Sequence, residues 1–152
     1  MPPSKPLRPH KVDRFLTFPL YYDAAVPITY AIDHERRVIF ATWSGEIRLE
    51  DVEGYWRALM ADPLALGLRR SVADLRSAQL AFRGVEFAQL IQTIALPALA
   101  GRRWHTAVIV DQPLQFGITR QYQALADAYS RDAIFDNPED ALKWLLAQGE
   151  PA

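Results

Sequence analysis

The chain has no cysteine and only three histidines, His10, His34 and His105, among its 152 residues. Without thiols there are no disulfides, cysteine nucleophiles, zinc-thiolate sites or iron–sulfur clusters, and the redox compartment stays open. The histidines fall in a proline-rich start, a tight turn and a strand. None has the spacing of a metal pair, so each reads as structural or solvated and no metal site is expected. No apolar run approaches the length of a membrane span. The sequence also lacks a Gly-x-Ser-x-Gly elbow, a phosphate-cradling Gly-rich loop and a dinucleotide fingerprint. Hydrolase, nucleotide-binding and Rossmann readings thereby lose their usual supports, and no cofactor is expected. Neither sign of charge is in excess: 17 Lys and Arg against 18 Asp and Glu leave a net charge of -1. Such a balance gives no overall attraction to nucleic acid or to an anionic membrane.

What is present suits one folded domain with a proper core, since 50% of the residues are hydrophobic and 23% charged. Residues 1–27 differ from the rest. Pro2, Pro3, Pro6 and Pro9 alternate with Lys5, Arg8, Lys11 and Arg14, a composition that resists helix and sheet and reads as an extended arm. The arm then turns apolar, from Phe15 through Phe18 to Tyr21 and Tyr22. That run is too short for a signal-peptide core and has no small-x-small cleavage pattern, so a cytoplasmic protein is expected. Its aromatic rings need cover, which the domain or a second subunit would supply in a homodimer joined through the arm.

Regular patterning starts at Ile28. Ile28, Tyr30 and Ile32 alternate with polar or small residues, and the turn Asp33-His34-Glu35-Arg36 leads into a second strand that Gly45 ends. Leu49, Val52, Trp56, Leu59 and Met60 recur at helical spacing, with Glu50 and Asp51 in the first turn and Asp62-Pro63 as the stop. Arg70 to Arg76 reads as a central strand, buried in its middle and charged at its end. A loop from Ser77 to Gly84 precedes a helix with Phe87, Ile91, Ile94 and Ala95 inward, which Pro97 ends or kinks. Arg103 to Asp111 is a further buried strand, and Gln112-Pro113 launches a helix whose inner face is Ile118, Tyr122, Leu125 and Tyr129. A short strand at Ala133-Ile134-Phe135 leads to a helix opened by Asn137 as N-cap and Pro138 at its first position. The order predicts an α/β domain over residues 28–148: a mostly parallel sheet of four to five strands, opened by a β-hairpin and flanked by about four helices.

Five segments in this order carry a family likeness: Ile28-Thr29-Tyr30-Ala31-Ile32-Asp33, Trp43-Ser44-Gly45-Glu46-Ile47, Val72-Ala73-Asp74-Leu75-Arg76, Phe116-Gly117-Ile118-Thr119-Arg120-Gln121-Tyr122, and Phe135 to Leu145. From Ile28 to about Leu146 the chain resembles a STAS-like domain of the SpoIIAA-like superfamily, the type of the anti-sigma factor antagonists. The resemblance implies a SpoIIAA-like layered fold and regulation through association with a protein partner. It also implies a phosphorylatable hydroxyl at the start of the helix after the central strand. That hydroxyl is missing, because the equivalent stretch is Leu80-Ala81-Phe82-Arg83-Gly84. Ser77 lies earlier and reads as a turn serine.

In open α/β sheets ligands bind beyond the carboxyl ends of the strands. The polar residues expected there are Asp74, Arg76, Asp111, Gln115 and Arg120. They would form a ligand- or partner-binding surface in which the arginines receive an acidic group, or else a structural ion-pair network. Trp43, Tyr55, Trp56, Trp104, Tyr122 and Tyr129 offer a second candidate, a pocket between helices and sheet for a small apolar ligand, with plain core packing as the alternative. No catalytic residue is assigned, since neither Asp74 nor Asp111 has an identifiable acid–base partner. The reading is a non-enzymatic regulatory or protein-interaction module, with a carrier or sensor of a small apolar or anionic ligand as the alternative.

Overall fold

The computed structural model describes residues 26–101 and 103–151. The expectations for the arm, including the aromatic run from Phe15 to Tyr22, His10 and a dimer made through them, lie outside the described residues. Five strands form one sheet in sequential order. Strand β1 (Ile28–Asp33) is antiparallel to β2 (Val38–Ile47), while β3 (Arg70–Leu80), β4 (Trp104–Ile109) and β5 (Ser130–Phe135) follow in parallel. The expected hairpin turn is fixed by Asp33, whose Oδ1 accepts the backbone N–H groups of Glu35 and Arg36, each at 3.0 Å.

Because β2 to β5 advance in one direction across the sheet, right-handed crossovers place every connecting helix on the same face. Those helices are α1 (Leu49–Met60), α2 (Pro63–Leu68), α3 (Gly84–Leu90), α4 (Leu96–Leu99) and α5 (Pro113–Ala126). Only α6 (Pro138–Ala147), which follows the last strand, returns to cover the opposite face against β3, β4 and β5. Two apolar layers result. The larger joins Trp43, Leu75 and Val108 to Val52, Phe87 and Ile118; the smaller joins Val38, Phe40, Val72 and Ile109 to Leu142 and Leu145.

Local chemistry accounts for the helix ends. The Arg48 backbone N–H donates to the Asp51 carboxylate at 2.8 Å at the start of α1, and Asn137 accepts from the Asp140 N–H at 2.8 Å at the start of α6. Helix α2 was not expected from the sequence; Asp62 caps it by accepting from the Leu64 N–H at 3.0 Å, and Pro63 sits in its first turn. Pro97 does not end the second predicted helix but falls where its winding changes. A π turn over Ile91–Ala95 joins α3 to α4 directly upstream of the proline, and the wider turn absorbs its missing N–H and bulky ring.

Three strand boundaries differ from expectation, the simplest being that β5 starts at Ser130, three residues before the short strand expected at Ala133. Gly45 does not end β2, which runs on to Ile47 with Gly45 at φ +72°. The segment from Ser77 to Leu80 is not a loop but the second half of β3, with Ser77 opposite Ser44. Between Asp74 and Ser77 the register against β2 gains one residue, and this β-bulge disguised the strand's continuation.

Candidate functional site

The bulge explains where the charged residues go. Strand β4 leaves β3 at the Asp74–Ile109 pair, so beyond that point the β4 side of β3 has lost its partner strand. Gln115, fully buried near the start of α5, takes its place: Nε2 donates to Leu75 O at 2.7 Å and to Ala78 O at 3.0 Å. Its Oε1 accepts the Asp111 N–H at 2.9 Å, so one side chain ties the strand extension to the β4–α5 turn. Asp74 holds the bulge by accepting the Arg76 N–H at 3.1 Å, and it grips the Arg76 guanidinium through Nε at 3.0 Å and a second nitrogen at 2.8 Å. The Asp74 hydrogen bond is the largest influence holding the Arg76 guanidinium above its ordinary pKa, and Asp111 adds to it.

Four of the five expected residues, Asp74, Arg76, Asp111 and Gln115, thus share the carboxyl end of β3 and β4. Arg120 does not join them through any hydrogen bond; its guanidinium is exposed and reaches Gln123 on its own helix at 3.5 Å. The five-residue step from the inward Gln115 turns Arg120 about 140° around the helix.

A chamber lies between β2–β4 and helices α1, α3 and α5, in which the centre of a water molecule can range over about 70 Å³. Its walls include Trp43, Tyr55, Trp56, Trp104 and Tyr122, five of the six rings expected to line such a pocket. Successive rings meet edge-on: Trp43 and Tyr55 have centroids 6.2 Å apart at 66°, and Tyr55 and Trp56 6.2 Å apart at 67°. Tyr129 packs among the hydrophobic residues nearby. Ile91, in the π turn, completes the wall from above. None of the described lining residues is charged.

One end of the chamber is polar. Ser71, Thr106 and Asp132 are cross-strand neighbours in β3, β4 and β5, so their side chains form a row on the helix-covered face. The Ser71 and Thr106 hydroxyls are 3.4 Å apart, and both residues line the chamber. Behind them the Ser130 hydroxyl donates to Asp132 Oδ1 at 2.6 Å, while Oδ2 is buried with no hydrogen bond. Burial pushes the Asp132 carboxyl up to about 7, and the Ser130 and Thr106 hydroxyls offset this only in part. The Tyr122 phenol is also pushed well above its usual range, chiefly by burial and then by Asp132. The indole nitrogens of Trp43 and Trp104 are buried without a hydrogen-bond partner. Sequence reasoning found the rings but missed Ser71, Thr106, Ser130 and Asp132, whose one available signal was polar residues at inward positions of buried strands.

Among the described residues, no cluster of three or more His, Asp or Glu side chains is placed to hold a metal ion, and no helix is long and apolar enough to cross a membrane.

A five-stranded sheet opened by a hairpin, helices gathered on one face and a single closing helix on the other define an α/β domain with a SpoIIAA-like fold. A solved structure with the same fold is that of an uncharacterized protein of the DUF3478 family from Shewanella loihica PV-4. It superposes with a TM-score of 0.51 at 20% sequence identity, covering 78% of this chain and 93% of that one. An anti-sigma factor antagonist from Mycobacterium paratuberculosis aligns with a TM-score of 0.49 at 18% identity, over 81% of this chain and 97% of its own. No family model matches the sequence, and no curated protein matches it.

Proposed function

We propose that the domain is a non-enzymatic sensor or carrier that takes a small, mainly apolar ligand into the aromatic chamber. The observation that carries this reading is the chamber itself: apolar walls from the sheet and from the helices on one face, a few polar groups gathered at one end, and unpaired donors among its lining residues. Core packing alone closes such space, since protein interiors normally reach crystal-like density. The absence of charge among the described lining residues favours an apolar over an anionic ligand. Thermal-shift measurement with small aromatic compounds tests the reading, because a ligand that binds the native state raises the melting temperature with its free concentration. Binding that survives blocking of the chamber by Ala73→Leu would defeat it.

A second reading is association with a protein partner at the carboxyl end of the strands. Val85, Leu114 and Phe116 are exposed in the first turns of α3 and α5, and the Asp74–Arg76 pair lies at the same end of the sheet. A regulatory role would then act through this surface without the family's phosphorylated hydroxyl. Substituting Leu114 and Phe116 with Ser separates the readings, because it would abolish association while leaving ligand-induced stabilisation intact.

A further inference from the structure

The amino ends of β3, β4 and β5 carry a second polar row, on the face opposite Ser71, Thr106 and Asp132. Arg70 pairs in register with His105, and His105 with Arg131, so alternation turns all three side chains towards α6. The segment that follows α6 lies across this row. Arg131 donates to Gln148 Oε1 at 2.9 Å, the His105 ring meets the Gly149 carbonyl, Arg37 just ahead of β2 pairs with Glu150, and Arg69 just ahead of β3 donates to Pro151 O at 3.4 Å. Gly149, at φ +73°, makes the left-handed turn out of the helix that this path requires. Consecutive residues of the segment are thus held by basic side chains from the starts of neighbouring strands.

These ties are unequal. The Arg37 and Glu150 side chains are both about half exposed, and the Arg131–Gln148 bond is at the surface, so each contributes little. His105 is buried, at 8% exposed, and its Nδ1 has no hydrogen-bond partner. A neutral imidazole has one nitrogen without a proton, whereas an imidazolium has two N–H groups to satisfy. Arg70 from β3, Arg131 from β5 and Arg103 ahead of β4 set three positive charges around the ring, while the acid of the segment, Glu150, is engaged by Arg37. Burial first, and then those arginines, hold the imidazole below its ordinary pKa against the pull of the Gly149 carbonyl. We propose that His105 is the latch of a pH-released strap: the neutral ring keeps Gln148–Pro151 across the strand ends, and a second ring proton turns the ring out to water and frees the strap. The chamber plays no part in this. Because the folded ring binds its proton less readily than the free one, the strap is held above the ordinary histidine value of about 6.5 and loosens as pH falls below it. Asp132, on the other face of the sheet, takes up its proton near pH 7 and stabilises the fold as it does so. The two effects oppose each other in a melting temperature, so the strap itself has to be observed.

Magnetic resonance of the full chain, following the His105 ring protons and the backbone amides from about pH 7.5 to about pH 5, tests this. The expected result is a His105 ring that takes its proton below about pH 6.5, with the Gln148, Gly149 and Glu150 amides moving to the positions of an unstructured peptide at the same midpoint. Below that value, and while it is still small, the detached fraction should grow about tenfold per pH unit, the slope of one linked proton. His105→Gln keeps a neutral side chain that can donate to the Gly149 carbonyl but cannot titrate, so its strap signals should stay in place over the whole range. Should that variant fail to fold, coincidence of the ring and strap titrations in the unmodified chain decides. Protonation of the ring at or above about pH 6.5, or protonation that leaves the strap amides unmoved, would overturn the latch. Release of the strap in His105→Gln at the parent's midpoint would overturn it too, and would assign the release to Glu150 or another acid.

Discussion

The charged tip of β3 and the aromatic chamber are two regions of one α/β layer, and they spend their polar groups in opposite ways. At the tip, Asp74 is taken up by the bulge and by Arg76, and Gln115 satisfies two carbonyls and one N–H at once. In and behind the chamber, two indole nitrogens and one carboxylate oxygen have no partner. Groups already paired with their own chain have little left for a ligand, whereas buried groups without partners gain from one. The contrast turns attention from the residues that look functional because they are charged to those that are unsatisfied.

Removing a chamber wall gives the largest expected effect. Trp104→Ala deletes a ring that is 2% exposed and should cost about 3–5 kcal/mol in urea unfolding. A loss below about 1 kcal/mol would show that the wall does not pack as described.

Asp132→Asn tests the polar end through pH. The folded carboxyl keeps its proton up to about pH 7, whereas the unfolded chain releases it near the ordinary aspartate value. Between those values the folded state holds the extra proton, so stability falls as pH rises through the window and levels off above it. The asparagine variant, which mimics the protonated acid, should therefore be more stable than the parent at pH 8 by up to about 4 kcal/mol. Near pH 4 the difference should vanish, as melting curves across pH would show. Equal pH profiles for the two proteins would mean that Asp132 is solvated.

At the tip, Gln115→Leu keeps the volume but orphans Leu75 O, Ala78 O and Asp111 N–H. A cost of about 2–3 kcal/mol is expected, with faster amide exchange in the second half of β3. The smallest effect should come from Arg76→Gln. The Arg76 side chain is 36% exposed, so its ion pair with Asp74 should contribute no more than about 1 kcal/mol and should weaken with salt. A larger loss would make the tip a keystone of the fold and narrow the contrast between the two regions.

The fold was legible where one strand or helix repeats a pattern over several residues. The alternation from Ile28, the acids Glu50 and Asp51 in a first turn, and Asn137 as N-cap before Pro138 are local signals, and each element they predict is present. Interruptions were misread. Gly45 resembled a strand end and Pro97 a helix end or kink because both residues usually break regular structure; the strand runs on through Gly45, and a π turn carries the chain past Pro97. Neither outcome is visible locally, since the compensating contacts come from neighbouring strands and helices.

Sequence alone determined the alternation of strands and helices, because hydrophobic period and capping act over a few residues. It also singled out the aromatic rings and the polar residues at the strand tip. Only the tertiary structure decided which of those groups are already satisfied. Hydrogen-bond satisfaction depends on register between strands far apart in the chain: it put Gln115 against the carbonyls that β4 leaves behind, and it lined up Ser71, Thr106 and Asp132 beneath a chamber that no single segment encodes.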